Sequence, residues 1–279
     1  MSNTDKRVWL VTGCSSGFGR AIATHLLEAG QTVVVTARRT ETLEDLRGLG
    51  NACILALDVT DPRQADSVVK KAEELAGSVD VLVNNAGIGY FASIEESDER
   101  QIQKLFDVNF FGASNMIRAV LPGMRKRRSG HIVNLTSIGG LEGFPAVGFY
   151  CATKYALEGL SDVLRKEVAP LGIRVTTVEP SGFRTEWAGS SSEAETIAPD
   201  YDATVGEAIR AYHASVGKQA GDPARAAAAI ARAVFASEPP DRLLLGNEAF
   251  EVAIEKLGTM RREFAAWEAT TRGADFPQG

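Results

Sequence analysis

The alternation of short β-branched runs with amphipathic helical patterns constrains the fold of this chain more than any other feature of its sequence. The strand-like runs span residues 8–11, 32–36, 52–57, 79–83, 132–135, 174–178 and 242–245. Strands that are apolar almost throughout are typical of a parallel sheet covered by helices on both faces. The sequence therefore predicts an α/β fold with a doubly wound, seven-stranded parallel sheet.

The segments between these runs have helical patterns over residues 17–29, 40–49, 150–171 and about 98–127, the last broken near Asn109. Two further helices are predicted to begin at Asp61-Pro62 and Asp222-Pro223, where the aspartate is an N-cap and the proline fits the first helical position. The long connection 183–221 follows the sixth strand and is expected to be a substrate lid. We predict a single domain over residues 1–279, with a core at 6–246 and a helical tail at 247–279.

Charge and cysteine content exclude several classes of protein. The net charge is −6, whereas a nucleic-acid-binding protein normally presents a basic face. No apolar stretch approaches the length of about 20 residues that spans a bilayer. Cys14, Cys53 and Cys151 are far apart, which argues against a disulfide framework or a zinc site. We expect a cytoplasmic protein that has no metal and binds neither nucleic acid nor membrane.

A glycine-rich turn joins the first predicted strand to the first predicted helix. Its sequence is T-G-x-x-x-G-x-G, beginning at Thr12 and ending at Gly19. Glycines at such a place permit a tight turn, close approach of backbone N–H groups to a pyrophosphate, and close packing of the helix on the strand. The helix N-terminus adds partial positive charge. We predict that the turn binds phosphates through Gly13, Ser15, Ser16, Gly17, Phe18 and Gly19.

This spacing resembles that of the short-chain dehydrogenase/reductase family, in its single-domain branch. The family's N-N-A-G is matched at residues 84–87, its N-x-x-G begins at Asn109, and its Y-x-x-x-K is formed by Tyr150 and Lys154, which follow Ser137. The resemblance covers residues 6–246 and implies a Rossmann-type fold. Within the family, the chain is similar to 17β-hydroxysteroid and retinol dehydrogenase-like reductases.

The resemblance implies a catalytic set of Ser137, Tyr150, Lys154 and Asn109. Reduction of a ketone by hydride places negative charge on the carbonyl oxygen, which then needs a proton donor and hydrogen-bond support. Tyr150 would donate the proton, and Lys154, one helical turn away, is expected to lower the pKa of the phenol. Ser137 would hold the substrate oxygen. Asn109, by the same resemblance, would hold a water between Lys154 and solvent.

The end of the second strand indicates which dinucleotide is bound. NAD-binding units usually have an acidic residue there, but this chain has Ala37 followed by Arg38 and Arg39. A guanidinium suits a 2′-phosphate, so NADP(H) is favoured over NAD(H), with Arg38 the first choice and Arg39 the second. The resemblance adds further cofactor contacts, namely Asp58, Val59, Asn85, Ala86, Gly87, Tyr150, Lys154, Pro180, Gly182, Phe183 and Thr185. Ser181 replaces a glycine common in the family, which leaves the nearby carboxamide contacts open.

These features predict an NADP-dependent oxidoreductase that interconverts a hydrophobic ketone or aldehyde and its alcohol. A catalytically silent dinucleotide-binding sensor on the same fold is the alternative, but such proteins typically lose the serine, tyrosine or lysine. An apolar stripe in the lid has two interpretations, simple packing or a roof over the substrate. The stripe and its expected companions are Val205, Ile209, Tyr212 and Val216, with Phe144, Phe149, Phe183 and Trp187.

The tail carries Phe250, Ile254, Leu257, Phe264 and Trp267 at mostly helical intervals. An apolar stripe of this size is expected to be covered. Either it folds back on its own subunit or it supplies a two-fold contact. A homodimer is the partner expected besides the small-molecule substrate.

Overall fold

A seven-stranded parallel sheet forms the centre of the computed structural model, which describes residues 6–276. The spatial order of the strands is β3-β2-β1-β4-β5-β6-β7, so the predicted doubly wound, Rossmann-type sheet is confirmed. The strand bounds are β1 Val8–Val11, β2 Thr32–Ala37, β3 Asn51–Ala56, β4 Val81–Asn84, β5 Gly130–Leu135, β6 Ile173–Pro180 and β7 Arg242–Leu245.

Helices cover both faces of the sheet because successive residues of each strand point to opposite sides. Trp9 and Val11 of β1 pack with one group of helices, whereas Leu10 packs with the other. Helices α1 and α8 cover the first face, and α2, α4 and α5 cover the second. The helix bounds are α1 Gly17–Glu28, α2 Pro62–Ala76, α3 Glu99–Phe106, α4 Gly112–Arg127, α5 Gly148–Val168, α6 Trp187–Ser190, α7 Glu207–Ser215, α8 Pro223–Phe235, α9 Asn247–Ala266 and α10 Glu268–Arg272.

The structure differs from the sequence prediction mainly at two helical segments. Residues Thr40–Leu49 form 3-10 turns rather than an α-helix, and the buried Leu43 and Leu46 are spaced by the three residues of a 3-10 repeat. The expected break near Asn109 is a π-helical turn, Asp107–Phe111, between α3 and α4. Most other element ends lie within two residues of the predicted positions.

The strand order reverses between β1 and β4, which lie side by side although β2 and β3 separate them in sequence. Chains that leave two such strands diverge to opposite faces of the sheet, and a crevice opens at their carboxyl ends. Residues 183–221, the predicted lid, run over this end of the sheet and contain α6 and α7. A two-residue parallel ladder joins Ser192–Glu193 of the lid to Tyr90–Phe91 after β4.

The tail is helical, but its large apolar side chains do not fold back onto the described part of the chain. The buried face of α9 consists of small residues, Ala249 and Ala253, packed against Ile138. The predicted stripe is more than half exposed at every position, and residues 261–276 are all exposed. The fold-back interpretation is therefore wrong for this stripe. Between residues 6 and 276, no helix has the length and apolar character required to cross a membrane.

Candidate active site

The glycines of the turn after β1 are required by its backbone geometry. Gly13 and Gly17 have φ of +71° and +58°, a region that side chains other than glycine's rarely adopt. Gly19 is needed for a different reason: a Cβ there would overlap both the Gly13 carbonyl oxygen and Asn85 Nδ2. Gly19 therefore supports close packing of α1 on the turn, and its predicted phosphate contact stays a prediction.

Asn85 and Thr12 clamp this turn to the segment after β4. Asn85 Nδ2 donates to the carbonyl oxygens of Thr12 and Gly13 at 2.8 and 3.1 Å. Thr12 Oγ1 accepts from the backbone N–H groups of Asn85 and Ala86, each at 3.0 Å. The N-N-A-G segment thus fixes the shape of the glycine turn in addition to lining the cavity.

The N-terminus of α1 retains free hydrogen-bond donors. Its N-cap residue, Ser16, makes no side-chain bond to the first N–H groups of the helix. Ser15, Ser16, Gly17 and Phe18 line the cavity at this point. Unpaired N–H groups and the positive end of the helix dipole are suited to a phosphate. The donor set of this turn therefore fits the pyrophosphate of a dinucleotide.

Arg38 and Asp58 border the cavity beyond the turn, at the ends of β2 and β3. Ala37 and Val59 line the same region. Arg39 does not line the cavity; its carbonyl oxygen accepts from Thr42 Oγ1 at 2.7 Å and so begins the following 3-10 segment. Of the two arginines, Arg38 therefore borders the cavity, and the role of Arg39 as the second choice stays a prediction.

Ser137, Tyr150 and Lys154 line the opposite end of the cavity. Ser137 follows β5 with extended backbone, and its Oγ accepts from the Gly139 N–H at 3.0 Å, so its own O–H can donate to Tyr150 or to a ligand. Tyr150 and Lys154 lie one turn apart on α5. The Lys154 Nζ donates to the Leu135 carbonyl oxygen at 2.8 Å and lies 5.6 Å from the centroid of the Tyr150 ring.

Burial dominates the titration of this site. It raises the pKa of Tyr150 well above the usual range of a phenol, while a hydrogen bond with Ser137 acts in the opposite direction. Burial also lowers the pKa of Lys154 to about 8. Burial therefore outweighs any decrease in the pKa of the phenol that Lys154 causes, and the predicted effect of this lysine stays a prediction. A phenol with a raised pKa is protonated at neutral pH, which is the form that can act as a proton donor.

Asn109 is buried behind the cavity wall and does not line it. Its Oδ1 accepts from the Ile88 N–H at 2.8 Å, and its Nδ2 donates to the Ile88 carbonyl oxygen at 3.0 Å and to Thr153 Oγ1 at 3.2 Å. The side-chain amide therefore ties the loop after β4 to α5. Its predicted role in holding a water stays a prediction, and the contacts of the side chain support a positioning role.

The lid supplies an aromatic wall beside Tyr150. The rings of Tyr150 and Trp187 lie 4.9 Å apart between centroids, and Phe144 and Tyr212 also border the cavity. Val205, Ile209 and Val216 pack beneath these rings without lining it. Phe149 likewise does not line the cavity, and Phe183 packs on Phe18 near the glycine turn, at 4.9 Å between ring centroids. Of the apolar stripe in the lid, Tyr212 therefore borders the cavity, whereas Val205, Ile209 and Val216 only pack beneath it.

Several lining residues were not predicted because no motif marks them. They are Arg100, Gln103 and Lys104 on α3, Ala208 and Ala211 on α7, and Arg225 on α8. Each comes from a distant segment that reaches the cavity through the tertiary fold. The predicted cofactor residues that do border the cavity are Gly13, Ser15, Ser16, Gly17, Phe18, Arg38, Asp58, Val59, Asn85, Ala86, Gly87, Tyr150, Lys154, Pro180, Gly182, Phe183 and Thr185.

One cavity of about 1720 Å³ connects these groups. It runs from Arg38 past the turn after β1 to Tyr150 beneath the lid. Phosphate-binding donors in its middle and a proton donor at one end fit a nicotinamide dinucleotide lying across the carboxyl ends of the strands. Among residues 6–276, no cluster of three or more His, Cys, Asp or Glu side chains could hold a metal ion.

Comparison with known proteins agrees with this geometry. The family model for short chain dehydrogenases matches residues 7–196. The chain belongs to the short-chain dehydrogenase family. Among its relatives, the oxidoreductase BOA17 of Botryotinia fuckeliana is 39% identical over 88% of this chain and 91% of its own length. A 3-ketodihydrosphingosine reductase of Bacteroides thetaiotaomicron is 36% identical over 86% of this chain and 88% of its own length. The chain is accordingly an oxidoreductase of this family.

Solved structures share the fold over nearly the whole chain. A short-chain dehydrogenase from Streptomyces avermitilis is 45% identical with a TM-score of 0.91, covering 99% of this chain and 100% of its own. A family member from Burkholderia phymatum in complex with NAD is 25% identical, with a TM-score of 0.79 and full coverage of both chains. A variant of the actinorhodin polyketide ketoreductase with NADPH is 30% identical, with a TM-score of 0.74, covering 88% of this chain and 97% of its own.

Replacing Gly19 by alanine is expected to distort the turn. The new Cβ would meet the backbone oxygen of Gly13, which has no flexible end to move aside, so we expect a loss of about 1–3 kcal/mol in the free energy of unfolding. Gly48→Ala is the matched control, because no atom lies within 4 Å of its added Cβ. Urea unfolding of both variants measures the difference. Equal stability of the two variants would contradict the packing role of Gly19.

Proposed function

We propose that this chain is an NADP(H)-dependent oxidoreductase that interconverts a hydrophobic ketone or aldehyde and its alcohol. The observation that carries the proposal is the arrangement of Ser137, Tyr150 and Lys154 on one wall of a cavity that also contains an uncapped helix N-terminus and Arg38. A silent dinucleotide sensor would not need a buried phenol, a free serine O–H and a buried lysine together at one end of the binding cleft.

The three side chains can perform complementary tasks on a carbonyl group. A nicotinamide dinucleotide bound in the cavity would supply or accept the hydride. The Ser137 O–H is free to donate to the substrate oxygen, because its Oγ already accepts from Gly139. Tyr150 is protonated at neutral pH and can deliver its proton to the same oxygen. Lys154 lies one turn behind it and supports the phenolate that remains.

The preference for NADP(H) rests on the end of β2. Ala37 offers no carboxylate to a ribose diol, whereas Arg38 borders the cavity and can pair with a 2′-phosphate. Structures in the family are known with NAD and with NADPH, so the fold by itself does not distinguish the two cofactors. Arg38 is therefore the residue on which the preference depends.

An apolar substrate is favoured by the wall opposite Ser137. Trp187, Tyr212 and Phe144 surround the phenol, and Ala208 and Ala211 of α7 complete an apolar surface. Two relatives are a 3-ketodihydrosphingosine reductase and human retinol dehydrogenase 8, both named for compounds that carry a long hydrocarbon group. We infer a substrate whose carbonyl is attached to an extended apolar group.

Within residues 6–276 all three cysteines are free thiols, which is in keeping with a cytoplasmic location.

We also infer a homodimer formed through α9. Phe250, Ile254 and Leu257 are 54–64% exposed and recur at helical intervals. The helix is acidic near its start, at Glu251, and basic further on, at Arg262. Two copies packed antiparallel about a two-fold axis would place the acidic half of each helix beside the basic half of the other, while the apolar side chains meet at the centre.

Tyr150→Phe is expected to lower kcat by about 10²–10⁴-fold while NADPH binding persists, because the ring is kept and the proton donor is lost. Turnover is measured by NADPH absorbance against a panel of aliphatic and aromatic ketones and aldehydes, and binding by fluorescence titration. Tyr155→Phe is the control, since Tyr155 is 43% exposed on another face of α5. A Tyr150→Phe enzyme that kept half the original rate would refute the assignment.

Arg38→Asp is expected to shift cofactor use from NADPH toward NADH. The substitution removes a charge-assisted hydrogen bond and adds a like charge beside the 2′-phosphate, so the ratio of the two kcat/KM values should change at least about 10-fold. Arg39→Asp serves as the control, because Arg39 does not line the cavity. If only the control changed the ratio, the role would belong to Arg39.

The double substitution Ile254→Glu with Leu257→Glu is expected to convert a dimer to a monomer, because it places four charges in a two-fold apolar contact. Light scattering measures the solution mass. Leu75→Glu is the control, an apolar side chain of α2 that is 57% exposed. A monomeric unsubstituted protein, or a double variant that stays dimeric, would disprove the interface.

A further inference from the structure

Two glutamates are buried beneath the candidate catalytic wall, with their carboxyl groups within hydrogen-bond reach of each other. Glu158 lies on α5 one turn after Lys154, and Glu179 lies near the carboxyl end of β6. Glu158 is 5% exposed and Glu179 is fully buried. None of the motifs described above includes either residue, and neither lines the cavity.

Three of their four carboxylate oxygens have no hydrogen-bond partner among residues 6–276. These are Glu158 Oε1, Glu158 Oε2 and Glu179 Oε2. The fourth, Glu179 Oε1, accepts from Thr177 Oγ1 at 2.6 Å. Buried acceptors without a donor are costly, and two adjacent buried carboxylates cannot both remain ionised at moderate cost. One proton held between the two groups would supply the missing donor and remove the repulsion.

The cations around Glu158 and Glu179 can balance one negative charge on this pair of carboxyl groups. On β7, Arg242 Nε lies 3.5 Å from Glu158 Oε2, but the terminal nitrogen of Arg242 is engaged by Asp162 at 2.7 Å. Arg165 likewise forms ion pairs with both Asp162 and Asp241. Lys154 is a further cation near the pair, and it lies on the same face of α5 as Glu158.

The backbone of the turn at Gly140 packs closely against the side chain of Glu158. A Cβ at Gly140 would lie 3.1 Å from Glu158 Cγ and 3.2 Å from the Lys154 carbonyl oxygen. The turn that follows Ser137 therefore packs directly over the α5 segment between the lysine and the glutamate. Glu158 is fixed relative to both Ser137 and Lys154 by this contact.

We propose that Glu158 and Glu179 share one proton, and that the negative charge left on the pair keeps Lys154 in its ammonium form. Glu158 is then a positioning residue, which acts on the reaction through Lys154. This role rests on the proposed oxidoreductase function, but the shared proton does not.

The electrostatics of the pair agree with this geometry. Burial and the neighbouring Glu158 raise the pKa of Glu179 to about 8. Burial lowers the pKa of Lys154 to about 8, and the charge of Glu158 opposes that decrease. Removing the charge of Glu158 would thus lower the pKa of Lys154 further, whereas removing the ionisable group of Glu179 would leave the charge of Glu158 in place.

The proton can be tested without any activity measurement. Between the ordinary glutamate pKa of 4.5 and about 8, the unfolded chain has released the Glu179 proton while the folded chain retains it. The contribution of Glu179 to the free energy of unfolding should therefore decrease as the pH rises through this window, and the difference between the unsubstituted protein and Glu179→Gln isolates it from other groups such as His131. In Glu179→Gln the decrease should be absent. Glu142→Gln is the control, a half-buried carboxylate paired with Lys256, and should retain it.

The effect on Lys154 is read from the pH profile of kcat/KM. In the double variant Glu158→Gln with Glu179→Gln, which removes the whole charge of the pair, the alkaline limb should move to lower pH by about one unit or more, the size expected when a close opposite charge is lost. Glu179→Gln and Glu142→Gln should keep the limb of the unsubstituted enzyme, because Glu158 retains its charge in both. A merely structural role of Glu158 would lower activity at every pH without moving the limb.

Two results would overturn the proposal. The first is a Glu179→Gln protein whose unfolding free energy has the same pH dependence as the unsubstituted protein, which would mean that no proton is shared. The second is an unmoved alkaline limb in the folded double variant. If the double variant does not fold, Glu179→Gln still decides the shared proton. If the unsubstituted protein reduces no carbonyl compound, the proposed function fails, while the stability measurement remains decisive for the pair.

Discussion

The contact between the turn after β1 and the segment after β4 is the constraint on which the rest of the site depends. These two strands are neighbours where the strand order reverses, so their connections must diverge and a cleft must open between them. The amide of Asn85 and the hydroxyl of Thr12 hold the two edges of that cleft together. Gly19 lets α1 approach the same point, and the helix N-terminus then faces the cavity. Phosphate binding is a consequence of this packing.

Burial, rather than a nearby cation, sets the protonation of the catalytic side chains. Tyr150 is kept as a phenol and Lys154 is brought close to its titration range by the same low-dielectric surroundings. These two effects are complementary in a reductase, because the donor must begin with its proton and the neighbouring amine must be able to respond to its loss. The arrangement explains why the lid places apolar and aromatic groups around Tyr150: they exclude water from it.

Local chemistry accounts for what the sequence could predict. Apolar strands, Asp-Pro caps and the glycine turn each depend on residues adjacent in the chain, so the sheet and most helix starts could be predicted from them. The residues of the candidate catalytic wall came from the resemblance to the family. The 3-10 form of Thr40–Leu49 could not be distinguished from an α-helix by a pattern of two leucines. Asn109 is expected near the ligand, but its side chain is oriented by bonds to Ile88 and Thr153, which lie far away in the sequence. The exposure of the α9 stripe likewise depends on which face finds a partner, and small alanines pack more closely on Ile138 than large side chains could.

Helix α5 carries three of the polar side chains described above, Tyr150, Lys154 and Glu158. Tyr150, Lys154 and Glu158 recur every four residues, so they form a single row along one face of the helix. The first faces the aromatic wall of the lid, the second donates to the Leu135 carbonyl oxygen at the end of β5, and the third meets Glu179 from the sheet. A rigid helix keeps the order of donor, cation and carboxylate fixed while the lid and the substrate vary. Under the proposed function, charge that develops at the carbonyl oxygen would therefore have a line of polar groups behind it that extends into the core.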